Sequence, residues 1–364
     1  MTGGALFYTF NLMVLAIALS GGVDSAVAAV LLNKKYPRMV GASHVIWPDS
    51  RCCSIEVLNR ARDVCRSLEI PYIQVDLYEQ FRGRVVEDFI QTYLSGKTPN
   101  PCVVCNKSIR FDAFYSELVR TLRQKDMLED SEELLFSTGH YARIVQTSDG
   151  YFIAKGKDPV KDQSYMLYQI DKGILPNLVL PLGEYQKSEI LSMAEEMGLP
   201  YTKVKESQDA CFVEDNYVEF IREQTGRSDF LQTGYIVDPA GRVLGKHRGT
   251  INYTVGQRRG LGLGNGPWYV ARIDPRANRI VVARQEDAGR RYFLIGKTNW
   301  FVDPPAWPLR CTVKIRYQIG EIPCTVEPEA EGFRIVLDHP EIVTPGQSAV
   351  FYAEGLVLGG GVID

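Results

Sequence analysis

The chain has 364 residues and a formal net charge of −3, set by 41 Lys and Arg against 44 Asp and Glu. It is long enough for two or three domains with a sizeable core, and a nucleic-acid partner would have to be met by local basic patches, because net charge announces none. The longest apolar run, residues 12–19, is far too short to span a bilayer, which excludes a membrane-spanning helix.

No Lys or Arg precedes Lys34, so the start lacks the basic region of an export signal. The first dozen residues read as a leader before the fold, with Met13 an alternative start. The expected compartment is therefore cytoplasmic, and the eight cysteines read as reduced thiols whose close spacings point to metal or catalysis. Residues 14–19 form a continuous apolar run, too short for a typical helix, that leads into Ser20-Gly21-Gly22-Val23-Asp24-Ser25. Residues 26–32 follow as good helix formers without a breaker. This order predicts a buried parallel strand, a tight turn and a helix whose first N–H groups, with the Ser20 and Ser25 hydroxyls, cradle phosphate. The string lacks the ending of a Walker loop and the glycine spacing of a dinucleotide site. It resembles the PP-loop of ATP pyrophosphatases, which cleave ATP between the α and β phosphates and adenylate an oxygen of their substrate.

Strands are expected over residues 39–47, 72–76 and 134–138, and helices over 54–68, 85–93 and 111–122. This rhythm implies an α/β domain with a Rossmann-like parallel sheet and ligands at the carboxyl ends of its strands. The rhythm stops near Lys205, and glycines become dense over residues 233–266. From Arg291 onward the pattern is β, with alternation over 310–317 and 333–337 and further strands at 348–352 and 356–358, as expected of a small β-barrel. The expected domains are a PP-loop domain over 13–205, a small central domain over 206–285 and a C-terminal β-barrel over 290–364.

The stretch Asn100-Pro101-Cys102-Val103-Val104-Cys105-Asn106 holds one Cys-x-x-Cys. Pro101 keeps Asn100 extended, and both sulfurs can face one site if the loop turns into a helix. A helix start with Lys107 and Arg110 nearby favours thiolate. Half a structural zinc site and a pair of buried unreactive cysteines are the rival readings, though no second Cys-x-x-Cys or His-x₃-His exists to complete a zinc set. Cys52, Cys53 and Cys65 read as structural. Cys211 stands alone beside two acids, and a lone cysteine is more often structural than nucleophilic.

These strings occur in order with Thr138-Gly139-His140-Tyr141, Lys161-Asp162-Gln163, residues 253–262, 311–317 and 344–351, and a terminal Leu358-Gly359-Gly360-Gly361. Together they resemble the tRNA-specific 2-thiouridylases, which put sulfur at C2 of the wobble uridine, over nearly the whole chain from about residue 13. The resemblance implies that Ala18, Leu19, Ser20, Gly21, Gly22, Val23, Asp24, Ser25, His44 and Gly139 bind ATP. It implies that Asn100, Pro101 and Cys102 meet the target base, and that His140, Lys161, Asp162, Gln163, Arg316, Tyr317 and Gln347 touch tRNA. Cys105 matches the nucleophile that resolves the intermediate and Cys211 the persulfide carrier, the two ending as a disulfide. Many members carry Asp where this chain has Cys102.

The chemistry suits these parts. The C2 oxygen of uracil is a poor leaving group, and transfer of AMP makes it a good one, with Mg²⁺ neutralising the pyrophosphate through Asp24. Expected partners are tRNAs with Lys, Glu and Gln anticodons and a sulfur-relay protein or cysteine desulfurase. The alternative sulfur carrier is a [4Fe-4S] cluster on Cys102, Cys105 and Cys211. Rival functions are another PP-loop adenylating synthetase, which needs neither paired cysteines nor the clusters Lys246-His247-Arg248 and Gln257-Arg258-Arg259, and a non-catalytic tRNA- or zinc-binding module.

Overall fold

The structure, a computed structural model, describes residues 13–47, 54–198, 210–214, 216–303 and 306–364. The leader, Cys52, Cys53 and residues 205–209 lie outside the described residues. The chain divides into two compact units. One holds Met1–Arg84, Cys102–Phe212 and Gly355–Val357, and the other Val85–Pro101, Val213–Glu354 and Leu358–Asp364. Among the described residues no helix is long and apolar enough to cross a membrane.

In the first unit the strands β1 (Val14–Ala18), β2 (Arg38–Val45), β3 (Tyr72–Asp76) and β4 (Leu134–Ser137) are joined by a two-residue strand, Leu178–Val179. Their order in the sheet is β3, β2, β1, β4 and then Leu178–Val179, with every neighbouring pair parallel. All five residues of β1 are buried, which is why the strand reads as an unbroken apolar run rather than an alternation. Helix α1 (Val23–Asn33) leaves β1, and helix α2 (Ile55–Ser67) starts at Ser54, whose side chain accepts from the Val57 N–H at 3.4 Å.

The chain passes from β1 to β2 on one side, while β4 lies on the other. The carboxyl ends of β1 and β4 therefore flank the point where strand order reverses, the place where open parallel sheets bind ligands.

A continuous helical stretch starts at Pro101, a residue that suits a first turn because its missing N–H has no intrahelical acceptor there. It runs as α3 (Pro101–Cys105), a wider π-type segment (Asn106–Ala113) and α4 (Phe114–Gln124). Sequence periodicity identifies only its second half. Phe111, Phe114 and Tyr115 bring their rings within 5.8–5.9 Å of Phe136 in the middle of β4. An antiparallel hairpin, β5 (Ala142–Thr147) and β6 (Gly150–Lys155), follows β4 where no element was expected. Its Asp149-Gly150 turn is the local signal for it.

The second unit holds two β modules. Strands β7 (Gly234–Val237), β8 (Val243–His247), β9 (Tyr269–Asp274) and β10 (Arg279–Ala283) form a four-stranded sheet over Ile236, Val270, Ile280 and Val282. Strands β11 (Arg290–Trp300), β12 (Leu309–Lys314), β13 (Ile322–Pro328), β14 (Phe333–Glu341), β15 (Ser348–Ala353) and β16 (Leu356–Ile363) form the expected barrel. Pairing of β16 with β11, as in Ile295 with Ile363, closes it.

Phe136→Ala removes a fully buried ring on which the helical stretch rests. It is expected to destabilise the first unit by about 3–5 kcal/mol, read from denaturant melts.

Candidate active site

The turn after β1 is shaped by what its backbone cannot tolerate. Gly21 has φ +67°, and a Cβ there would lie 2.5 Å from the Val57 carbonyl oxygen. Gly22 caps α1 with no side-chain hydrogen bond, so the first amides of an eleven-residue helix are left to a ligand. The Ser20 and Ser25 hydroxyl oxygens are 3.1 Å apart, and Ser25 donates to the Gly22 carbonyl at 3.1 Å. From β4, Gly139 closes on the same helix start, where a Cβ would meet the Ser25 nitrogen at 3.0 Å. Between these edges lies a cavity of about 220 Å³. Its walls include Ala18, Leu19, Ser20, Asp24 and Ser25 from the turn, with His44 of β2 and Gly139. Thr138, His140, Gln163 and Arg110 complete it. Seven of the ten residues expected at ATP and two of those expected at tRNA, His140 and Gln163, thus share one cavity.

Asp24 is engaged inside the protein. Lys187 Nζ donates to its two carboxylate oxygens at 2.6 and 2.7 Å, and the Tyr141 hydroxyl donates to Oδ1 at 2.7 Å. Lys187 opens helix α5 (Lys187–Glu196), whose start is fixed by a Gln186–Glu189 capping box. The Asp158 carboxylate also accepts from the Lys187 N–H at 3.0 Å, which holds that carboxyl below its usual range. Nothing in the sequence pairs Lys187 with Asp24.

The lining also carries two imidazoles and a guanidinium. Arg110 Nη1 donates to Asn106 Oδ1 at 2.8 Å and lies 3.5 Å from His140 Nε2. Asn106 Nδ2 donates to the Met166 carbonyl at 3.0 Å, which fixes the amide with its oxygen toward Arg110. His140 Nδ1 sits 2.6 Å from Thr138 Oγ1. Burial, aided by the positive charge of Arg110, drives both His44 and His140 down to about 3, so both rings are neutral at physiological pH.

Cys102 and Cys105 stand on α3, and Cys211 in a turn; all three are thiols. Cys102 is open to solvent on one side yet crowded enough that lost hydration pushes its thiol up, with Arg110 acting in the opposite direction. Phe212 anchors the Cys211 turn beyond the carboxyl end of β2, its ring 5.4 Å from Phe81 and 6.3 Å from Trp47. Among the described residues no three His, Cys, Asp or Glu side chains converge as a metal-ligand set.

Of the residues expected at tRNA, Gln163 lines the cavity with His140, and the others are distributed differently. Asp162 is buried and accepts from the Gly156 and Ser164 amides and the Ser164 hydroxyl, while the adjacent Lys161 N–H donates to Asp158. Gln163 Oε1 accepts from the Tyr141 N–H at 3.0 Å. Arg316 and Tyr317 lie beyond the end of β12, and Arg316 donates to Thr344 Oγ1 at 2.6 Å and to the Ile342 carbonyl at 3.2 Å. Gln347 donates to the carbonyls of Thr98 and Pro99 at 3.1 and 3.0 Å, just ahead of Asn100 and Pro101.

A parallel sheet with a phosphate-cradling Ser-Gly-Gly-Val-Asp-Ser turn at its reversal point defines a nucleotide-binding domain of the PP-loop class. Family models match the chain in three consecutive pieces: the tRNA methyl transferase HUP domain over residues 13–215, the tRNA methyl transferase PRC-barrel domain over 219–284 and the aminomethyltransferase beta-barrel domain over 290–363. The chain is 40% identical over 355 residues to the tRNA-specific 2-thiouridylase MnmA of Acidithiobacillus ferrooxidans, covering 95% of this chain and 97% of that one. It is 42% identical over 360 residues to the protein of the same name from Chloroflexus aurantiacus, covering 95% and 97%. The U34-tRNA thiolase NcsA from Methanococcus maripaludis, solved with its [4Fe-4S] cluster, aligns with a TM-score of 0.37 and 20% identity over 59% of this chain and 66% of that one, too slight a likeness to bear on this site. The chain belongs to the tRNA-specific 2-thiouridylase family.

The two imidazoles make stability depend on pH with a definite sign. A histidine at about 3 when folded and 6.5 when unfolded is protonated first in the unfolded chain. Stability is therefore complete above pH 6.5 and falls toward pH 3, by about 1.4 kcal/mol per pH unit for each ring. Denaturant melts between pH 7 and 5 should show this loss, and His140→Gln should make its slope shallower.

Proposed function

We propose that this chain is a tRNA 2-thiouridylase that uses ATP to activate C2 of the wobble uridine and a cysteine persulfide to deliver sulfur there. One observation carries the reading: Asn106, the neighbour of Cys105, holds Arg110 in the wall of the cavity that the PP-loop lines. Nucleotide chemistry and thiol chemistry are thereby tied to one helical stretch.

In this reading the uracil C2 oxygen attacks the α-phosphorus of ATP, and the bond to the β-phosphate oxygen breaks. Pyrophosphate leaves with the electron pair, against the Ser20–Ser25 turn and the start of α1. The terminal sulfur of a Cys211 persulfide then attacks C2, and AMP departs with the former carbonyl oxygen. The Cys105 thiolate attacks Cys211 Sγ, which leaves sulfur on C2 and forms a Cys105–Cys211 disulfide. A thiol reductant resets the pair. Asn100, Pro101 and Cys102 would face the target base, with His140, Lys161, Gln163, Arg316, Tyr317 and Gln347 toward tRNA. Buried Asp162 would act by shaping its loop.

Mg²⁺ suits a site of one carboxylate plus substrate phosphates, and Asp24 would hold it once Lys187 gives way. Bound there, it would neutralise pyrophosphate charge. The three thiols named for an iron–sulfur cluster do not converge among the described residues, and in this reading sulfur travels on Cys211 instead. The sulfur donor would be a relay protein or a cysteine desulfurase.

The test is mass spectrometry of tRNA nucleosides after incubation with ATP, Mg²⁺ and a persulfide donor, which should reveal 2-thiouridine. Cys211→Ala should retain tRNA binding and form none. Thiolation by Cys211→Ala at the wild-type rate would remove the carrier role.

A further inference from the structure

Arg110 is a half-buried cation with no carboxylate partner among the described residues. Its two described contacts are both with neutral groups, the Asn106 amide oxygen and the His140 imidazole, and both involve Nη1. A guanidinium carries five N–H donors, so Nε and Nη2 keep donors to offer into the cavity that Arg110 lines. Lys187, by contrast, is matched to Asp24 through both carboxylate oxygens. A partly desolvated charge without a counter-charge is costly, and an oriented one facing a nucleotide cavity is suited to an anionic ligand.

The orientation is built in. Asn106 is pinned by the Met166 carbonyl, and the His140 ring by Thr138. With Nε2 accepting from Arg110, the proton of the neutral ring sits on Nδ1 and is donated to Thr138 Oγ1. The start of α1 and the serines of the PP-loop line the same cavity, with amides and hydroxyls suited to the β and γ phosphates.

On the reading given under Proposed function, we propose that Arg110 is a further catalytic residue, binding a non-bridging oxygen of the α-phosphoryl group of ATP and holding the same group as AMP forms and leaves. The guanidinium neither gains nor loses a proton. It counters charge that is conserved as the phosphorus moves from the pyrophosphate oxygen to the uracil oxygen. A phosphate of the tRNA backbone is the other source of the same chemistry. The cavity shared with Ser20, Ser25 and Gly139 favours the nucleotide.

The test is binding of the Sp and Rp diastereomers of ATPαS to the free protein in EDTA, so that neither a metal ion nor tRNA turnover sets the result. Because it needs no thiolation, it succeeds or fails independently of whether 2-thiouridine is made. Wild-type protein should prefer one diastereomer by about tenfold, the size of one charge-assisted hydrogen bond. Arg110→Gln should bring the two within about twofold, and Arg110→Lys, which keeps the charge but loses the planar fork, should fall between. Circular dichroism checks that each variant is folded, and restored discrimination on adding guanidinium ion to Arg110→Ala would mark a direct contact. Equal affinities in the wild type, or a preference that survives in both Arg110→Gln and Arg110→Lys, overturns the assignment. A fall in tRNA affinity and in its salt dependence, with the diastereomer preference intact, reassigns Arg110 to the tRNA backbone and equally overturns it.

Discussion

The site depends on how closely two strand ends can approach. Gly139, leaving β4, sits against the first amides of α1, where any side chain would press on the Ser25 nitrogen. That approach is possible because β1 and β4 are direct parallel neighbours at the reversal of strand order. It brings the Ser20–Ser25 turn, the Thr138–His140 corner and the helical stretch packed on Phe136 around one cavity. The cavity is a consequence of register, and its chemistry follows from which side chains the register delivers.

Charge within it is arranged asymmetrically. Lys187 and Asp24 neutralise each other, with Tyr141 adding a hydrogen bond. Arg110, among the described residues, is held by neutral groups alone, and its own field helps keep His44 and His140 uncharged. The imidazoles are thus unsuited to general acid work near neutral pH, but suited to orienting a cation and walling a nucleotide. Adenylation of a carbonyl oxygen calls for stabilised phosphate charge more than for proton transfer, and on the proposed function this arrangement would supply that.

Much of this was legible in the chain itself. Strand β1 and its turn declared themselves because burial on both sheet faces demands an unbroken apolar run and the phosphate turn demands paired glycines. The barrel strands did so because one wet face enforces alternation. The strand Leu178–Val179 was not legible, since two residues carry no period. The first half of the Pro101–Gln124 helical stretch was hidden by a Pro and a wide turn. Lys187 meets Asp24 across 163 residues of chain, a distance no local pattern reports. Arg110 was visible only as a positive charge near a thiol. Its place in the nucleotide wall depends on Asn106 and Met166, which meet across 60 residues.

The account rests on the uracil oxygen leaving as part of AMP. The most direct measurement uses tRNA carrying ¹⁸O at C2 of the wobble uridine, thiolated with unlabelled ATP, and mass spectrometry of the products. One ¹⁸O atom in AMP and none in pyrophosphate is the predicted result. Label recovered in water or in pyrophosphate, with AMP unlabelled, would contradict it.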